Sequence, residues 1–220
     1  MNIKSLLIAS AILTITAAQA DNYHNNQKSH DYEVTITNIT KNVLFTPILA
    51  VTHKKRISLY QVGEPASEEL ASLAEGGNVA PLTELLSESR FVSDTADSGA
   101  PLAAGSSVTI AVTAQKRDLL SLSAMLLPTN DAFVGLNSVR LPKKGSKTYF
   151  ATAYDAGSET NDELCISIPG PQCGGTPFSP EDEGEGYVYP SPGIHGEADL
   201  SRASYSWDGA VAKVVVKRIR

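Results

Sequence analysis

The sequence predicts an all-β domain, an antiparallel β-sandwich with one or two short helices inserted. Several segments alternate apolar and polar residues with the period of two that is typical of half-buried strands. One stretch in the middle of the chain has helical periodicity instead. The second half is rich in Gly and Pro, which indicates ordered loops between strands, because a further strand follows and must pair with the rest.

The strands are predicted from alternating and from continuous apolar runs. In YEVTITNIT, Tyr32, Val34 and Ile36 alternate with polar residues. The run VLFTPILAVTH contains Pro47, which requires an edge, a bulge or a break because proline has no donor for the ladder. Three consecutive valines near the C-terminus indicate a strand that is buried on both faces. Further strands are predicted in SSVTIAVTA, LLSLSAMLL, KTYFATAY and AVAKVVVKRI.

The predicted helices lie between residues 67 and 89. In SEELASLAEGG, Ser67 is a suitable N-cap, acidic residues occupy the first turn, and Gly76 and Gly77 supply a stop. The segment APLTELLSES is predicted as a second short helix with Pro81 in its first turn.

The N-terminus has the pattern of an export signal. Lys4 precedes a short apolar stretch, and Ala18-Gln19-Ala20 fits a small-x-small cleavage site. The sequence therefore predicts a signal peptide over residues 1–20, a flexible tail over 21–31 and a sandwich domain over 32–220. Such a chain is expected to be periplasmic or secreted, with no stable membrane span after cleavage.

The charge of the chain limits the choice of partner. The formal net charge is −6, which disfavours nucleic acid as a ligand because nucleic acid is bound by basic surfaces. The expected partner is an extracytoplasmic protein or glycan that the sequence does not identify. Acidic groups are also suited to binding a cation.

The two cysteines predict a disulfide. Cys165 and Cys173 lie in CISIPGPQC, and an oxidising compartment favours their pairing. A metal site built on the two thiols is the alternative, but the nearest His in the later chain is His195.

The segment AYDAGSETNDELC places many side-chain oxygens at the end of a predicted strand. Asp155 and Glu159 are four residues apart around Gly157, which allows a tight turn that points both carboxylates at one place. Asp131 follows another predicted strand. From these residues alone, a solvated loop, an acid/base pair and a set of hard-oxygen metal ligands all remain open. The Glu181–Glu185 cluster is interpreted as a solvated loop.

Four separated segments together resemble the spondin domain family, the module found in F-spondin and mindin. They are YQVGEPASEELASLAE, PTNDAFVGL, YDAGSE and CISIPGPQCGG, and the resemblance covers roughly residues 32–219. It implies a C2-like β-sandwich with one bound cation, usually calcium, at one end. Carried over by motif, the metal ligands would be Asp131, Asp155 and Glu159, with Asn130 and Asn161 as possible additional contributors.

The chain departs from the family pattern beside the first of these motifs. Ala132 stands where the family has Trp, and Thr129 and Asn130 replace Ser and Pro. None of these changes removes a carboxylate, but the local packing must differ. The additional repeats of the animal proteins do not occur in this sequence, so their adhesive roles do not transfer directly.

These observations lead to three hypotheses of function. The first is an exported, non-catalytic module that binds a divalent cation, expected to be calcium, and serves adhesion or extracytoplasmic ligand binding. The second is a structural sandwich in which the metal is only a staple. The third is a secreted hydrolase that uses the same carboxylates. No nucleophile elbow, HExxH, P-loop or Rossmann motif occurs, and no catalytic residue is assigned.

Overall fold

The computed structural model describes residues 28–178 and 184–219. The predicted signal peptide and most of the predicted tail therefore lie outside the described residues. The first strand, β1 (His30–Asn38), begins inside the segment predicted as tail over residues 21–31. His30 and Asp31 pair with the neighbouring strand β5 (Ser107–Ala114), so the domain begins earlier than residue 32.

Ten strands and three short helices make up the described part of the chain. The remaining strands are β2 (Leu44–Phe45), β3 (Leu49–His53), β4 (Val92–Asp97), β6 (Leu119–Leu127), β7 (Ala132–Arg140), β8 (Ser146–Asp155), β9 (Tyr189–Pro190) and β10 (Ala210–Arg218), and the helices are α1 (Glu68–Gly76), α2 (Ala80–Ser87) and α3 (Arg202–Tyr205).

The strands form one antiparallel sheet that curls back on itself. The order is β4-β3-β6-β7-β8-β10-β1-β5, with β2 beside β6 and β9 beside β8. The two ends of this order meet, because the Thr113 amide donates to the Asp94 carboxylate at 2.6 Å and the Thr52 hydroxyl donates to the Thr113 carbonyl at 2.6 Å. The nearly closed, all-β architecture confirms the predicted sandwich-like class.

The apolar residues divide into an interior core and a second layer under the helices. Val34, Ile36 and Val214 belong to the interior cluster. Leu49 and Phe133 point the other way and pack beneath α1 and α2. β3 is therefore buried on both faces. The same expectation for the C-terminal valines is wrong, because the middle valine of β10 is only half-buried on the outer face.

Local signals fix the helix ends as the sequence predicts. The Ser67 side chain accepts a hydrogen bond from the Leu70 amide at 3.2 Å and caps α1. Gly77 ends that helix in the left-handed conformation, with φ at 66°. Pro47 lies in the break between β2 and β3.

Three strands of the sheet, β4, β7 and the two-residue β9, were not predicted from sequence patterns. β4 has no fully buried residue, so it lacks the apolar alternation of a core strand. β7 contains Gly135, Asn137 and Ser138, which weaken its strand signal. The omission of β7 matters because this strand positions one half of the candidate site.

A disulfide joins Cys165 and Cys173, as predicted, with a sulfur–sulfur distance of 2.04 Å. Both cysteines pack against a small cluster formed by Ile168, Ile194 and Leu200. This third cluster is separate from the two larger ones and anchors the long loops that follow β8. The disulfide therefore stabilises a part of the molecule that has little apolar core of its own.

Replacing both cysteines by serine is expected to lower the free energy of unfolding by about 2–3 kcal/mol, because the bridge closes a short loop of the unfolded chain. Urea denaturation monitored by tryptophan fluorescence measures this, since Trp207 packs against the same cluster. Reduced wild-type protein should match the double variant. Equal stability of oxidised wild type and variant would show that the bridge contributes nothing.

Candidate metal centre

The ends of β7 and β8 bring two aspartates together at one end of the sandwich. Asp131 immediately precedes β7, and Asp155 is the last residue of β8. The antiparallel register pairs Ala132 with Asp155. The amide of Ala156 also donates to the Asp131 carbonyl at 3.3 Å. Neighbouring strands therefore fix the two aspartates side by side, although they are far apart in sequence.

A tight turn before β7 sets the position of Asp131. The Thr129 hydroxyl donates to the Leu126 carbonyl and accepts from the Ala132 amide at 3.2 Å. This side-chain bridge closes the connection between β6 and β7. Asp131 lies within the bridged segment and is completely buried.

The Asp-Ala-Gly-Ser-Glu turn wraps around the Asp131 carboxylate. Asp155 Oδ1 accepts from the Gly157 amide at 2.9 Å, and Gly157 adopts a left-handed φ of 66°. The chain then places the amides of Ser158 and Glu159 at 2.8 and 3.1 Å from Asp131 Oδ2. Asp131, Asp155 and Glu159 are each 0 % exposed. The structure thus brings all three predicted carboxylate residues into one buried region.

Burial and neighbouring carboxylates raise the pKa values of both aspartates. Burial, followed by the charge of Asp155, raises the pKa of Asp131 from an ordinary 3.8 to about 8, against two opposing backbone hydrogen bonds. Burial also raises the pKa of Asp155, although hydrogen bonds from Asn161 and Gly157 oppose the rise. Two negative charges at this place therefore require a proton or a cation.

One oxygen of the pair has no hydrogen-bond partner among the described residues. Asp131 Oδ1 is buried and receives no hydrogen bond from the described residues. A buried, unsatisfied carboxylate oxygen is costly and needs a partner. Among residues 28–178 and 184–219, however, no group of three or more His, Cys, Asp and Glu side chains is arranged so that it could hold a metal ion. The donor set fits a cation only if oxygens of other kinds complete it.

The side-chain amides of Asn130 and Asn161, proposed above as additional ligands, mainly hold the neighbouring loops in place. Asn130 donates to Asp162 Oδ1 at 2.8 Å and accepts from the Glu163 amide at 3.3 Å, so its side chain binds the following loop. Asn161 donates to Asp155 Oδ2 at 2.9 Å and to the Tyr189 hydroxyl at 3.1 Å. These contacts hold the loop around the aspartates and direct a donor, not an acceptor, at Asp155.

Tyr189 and Glu185 belong to the site but were not predicted from the sequence. The pKa of Tyr189 is raised by burial, then by the charge of Asp155 and a hydrogen bond with Glu185. The charge of Glu185 also raises the pKa of Asp131. Of the Glu181–Glu185 cluster that was interpreted as a solvated loop, residues 181–183 lie outside the described part of the chain. Residue 185 contributes a fourth acidic group near the site.

Glu163 shows how this fold satisfies a buried carboxylate without a cation. Its two oxygens accept from the backbone amides of His195, Gly196 and Glu197, the latter two at 2.8 and 3.2 Å. The carboxylate thereby ties the loop after β8 to the loop before α3. His195 contributes its backbone amide here, which is a structural role.

The surroundings give little room for a substrate. A cavity of about 10 Å³ lies beside Asn130 and Asn161, and glycosidase-type chemistry needs space for a sugar ring between its carboxyl groups. The three carboxylate residues themselves are fully buried. The cavity beside Asn130 and Asn161 is therefore too small to hold a sugar ring.

The fold and the site define an all-β module organised around buried carboxylates. A model of the Spondin_N family matches residues 21–162, which is more than half of the chain, and the protein therefore belongs to the Spondin_N family. The match includes Asp131, Asp155 and Glu159 but ends before the disulfide and β10. No curated protein matches the chain significantly.

Family membership carries general expectations about location and activity. Spondin domains are typically extracellular and generally non-enzymatic. The disulfide agrees with an exported protein, because such bridges persist in oxidising compartments. In the described residues, none of the helices has the length and apolar character needed to cross a bilayer.

Gly157→Ala is expected to lower the free energy of unfolding by about 2–3 kcal/mol, because it adds a steric conflict to the strain of a left-handed residue. A Cβ at this position would lie 2.4 Å from the Tyr187 carbonyl oxygen. Urea denaturation of the cation-free protein measures the loss.

Gly99→Ala is the matched control. Gly99 has nearly the same φ, 68°, and its amide also donates to an aspartate two residues earlier, but a Cβ added there would have nothing within 4 Å. Gly99→Ala should lower the free energy of unfolding by about 1 kcal/mol, because it adds the strain of a left-handed alanine but no steric conflict. Equal losses in the two variants would contradict the tight packing of the turn.

Proposed function

We propose that this protein is an exported, non-catalytic spondin module, periplasmic or secreted, that binds a divalent cation at the Asp131–Asp155 pair. The cation neutralises the buried charges and fixes the loops at that end of the sandwich. The module then presents these loops to an extracytoplasmic protein or glycan, in adhesion or in ligand binding.

The observation that carries the proposal is the unsatisfied oxygen of Asp131. Glu163 lies in the same loop region and has three backbone donors for its two oxygens. Asp131 has donors on Oδ2 alone. The chain thus satisfies the buried Glu163 carboxylate fully but leaves one oxygen of the buried Asp131 carboxylate without a donor, beside a second carboxylate. A cation-binding site requires such an arrangement.

Calcium is the cation that the chemistry favours. The acidic groups of the pair and of the nearby Glu185 are carboxylates, which are hard oxygen ligands. Neither cysteine is available, because both are in the disulfide. Asp131 and Asp155 would hold the ion directly. Glu159, carbonyl groups of the turn and water would supply the further oxygens of a six- to eight-fold shell.

The surface around the site supports a role in binding a partner. Ile166 is 78 % exposed, and Leu164, Phe178 and Tyr187 are also exposed on the neighbouring loops. Exposed large apolar side chains on loops are a feature of interaction sites when they lie together. The alternative, a metal that serves only as a staple, is favoured by the complete burial of the carboxylates. In both cases the ion orders the same loops.

Asp131→Asn is expected to abolish stabilisation by calcium. Wild-type protein in calcium at 100 times the dissociation constant should gain about 2.7 kcal/mol, or roughly 5–10 °C in melting temperature, over protein in EDTA. The variant should show no such gain. It should also be about 1–2 kcal/mol more stable than wild type in EDTA at neutral pH, because the amide is neutral without the proton that the cation-free native state must take up, and it can donate to Asp155.

Asp97→Asn is the control for this experiment. Asp97 also accepts a backbone hydrogen bond, from the Gly99 amide, but it is exposed and has no part in the pair. It should keep the full calcium response. Parallel melts with magnesium test the preference for a larger, more flexible coordination shell. A wild-type melting temperature that is identical in calcium, magnesium and EDTA would rule out the proposed site.

The calcium response should grow as the pH rises from about 5.5 to about 8, because calcium must displace a proton from the aspartate pair. The raised pKa of Asp131, about 8 against an ordinary 3.8, means that the cation-free native state holds this proton more tightly than the unfolded chain does. That stabilisation is complete below about pH 4 and is lost as the pH approaches 8. Melting curves in EDTA and in calcium at several pH values measure the difference, and a constant difference would contradict the assignment.

A further inference from the structure

The opposite end of the sandwich is strongly basic, although the chain as a whole is acidic. β7 runs from the aspartate end to Arg140, so the two ends are about 30 Å apart at 3.3–3.4 Å per strand residue. A cavity of about 820 Å³ opens there, and an adjoining one shares several of its residues. The cationic residues that line them are Lys28, Lys116, Arg117, Arg140, Lys143, Lys144 and Arg218.

The carboxylate that lines this pocket is already engaged. Asp118 is buried, and its two oxygens accept from the Lys54 ammonium group and from the Gln115 amide. The exposed cations Lys116, Arg117 and Lys144 form no ion pair with the described residues. Among the described residues that line the pocket, cations therefore outnumber acids.

Hydrogen bonds to the backbone hold the basic loops in place. In the loop between β7 and β8, the carbonyl of Pro142 accepts from the Tyr32 hydroxyl at 3.4 Å, and that of Gly145 accepts from the Arg218 amide at 3.0 Å. The carbonyls of Arg140 and Lys143 accept from Tyr149 and Arg218 side chains. The loop is thus fixed by its main chain, while the Lys143 and Lys144 side chains are exposed.

Arg117 adds an independent sign that the basic side chains are required. It has a φ of 69°, a left-handed conformation that glycine adopts without strain and arginine does not. Elsewhere in this chain, turns of that conformation are mostly glycine. An arginine held there places a guanidinium at the rim of the pocket.

The shape and composition of the pocket favour a discrete ligand over a bilayer. Its volume lies in the range of sites that enclose small molecules or a few sugar units. The large apolar residue that is exposed near this end is Ile219, and one such side chain gives little anchorage to a membrane. Several fixed cations around a concave space are suited to several oxyanions on one flexible chain.

We propose that this pocket binds an acidic glycan through the sulfate or phosphate groups that the glycan carries. The ammonium and guanidinium groups of Lys116, Arg117 and Lys144 contact the oxyanions, and the pocket floor receives the sugar. This site is independent of the proposed cation site, because it lies at the other end of the sheet.

A heparin-derived hexasaccharide, labelled at its reducing end, is the first probe, with binding followed by fluorescence anisotropy. Wild-type protein should bind it at about 50 mM salt and lose roughly tenfold in affinity by about 300 mM, since screening weakens exposed charge pairs. The variant Lys116→Ala/Arg117→Gly/Lys144→Ala should bind roughly tenfold or more weakly at the lower salt.

The matched control is Lys41→Ala/Arg90→Ala/Lys213→Ala, which removes the same charge from exposed residues outside the pocket. It should change the affinity less than about twofold, because distant exposed charges are screened. Inorganic phosphate and sulfate should compete with the hexasaccharide, and Asp131→Asn should leave binding unchanged. Equal losses in the two triple variants, or no binding at the lower salt, would overturn the proposal.

Vesicles of phosphatidylcholine with roughly one fifth phosphatidylserine test the bilayer as the alternative source of phosphate. Wild-type protein should remain unbound in a sedimentation assay under the conditions in which the hexasaccharide binds. Sedimentation with the vesicles that is lost in the basic triple variant would replace the glycan by a membrane surface.

Discussion

The burial of two carboxylates on adjacent strands is the constraint around which this end of the molecule is organised. The register of β7 and β8 fixes Asp131 and Asp155 next to each other. Hydrogen-bond donors around the two carboxylates partly offset the repulsion between their charges in the low-dielectric interior. Gly157, Ser158 and Asn161 all direct N–H groups at the pair. The conformation of the whole turn therefore follows from the need to surround this charge.

The same loop region contains two buried carboxylates with different consequences. Glu163 accepts three backbone hydrogen bonds and connects two loops, so its charge is fully used within the fold. Asp131 accepts hydrogen bonds on Oδ2, whereas its Oδ1, beside Asp155, accepts none from the described residues. A buried carboxylate whose oxygens all accept hydrogen bonds, such as Glu163, stabilises the fold. A buried carboxylate with an open oxygen beside a second acid has a charge that a cation can balance.

Charge is separated along the strands of the sandwich. Acidic groups gather where β6 and β8 end, and lysines and arginines gather in the connections at the other end. A net charge of −6 conceals this division, because it averages two surfaces of opposite sign. An anionic partner approaching the protein in solution would be attracted to one end and repelled by the other. The proposed cation site and the proposed glycan site therefore lie on surfaces of opposite charge.

The sequence by itself determined the all-β class, the two helices between residues 67 and 89, the disulfide and the three acidic residues at the site. These features depend on local signals: alternation in YEVTITNIT, the Ser67 cap, and the glycine of the Asp-Ala-Gly turn. Tertiary structure alone decided the rest. β7 has a weak pattern because Gly135, Asn137 and Ser138 interrupt it, although its first residues are buried. Tyr189, Glu185 and the basic pocket come together from segments far apart in the chain, and only strand pairing determines which of them meet.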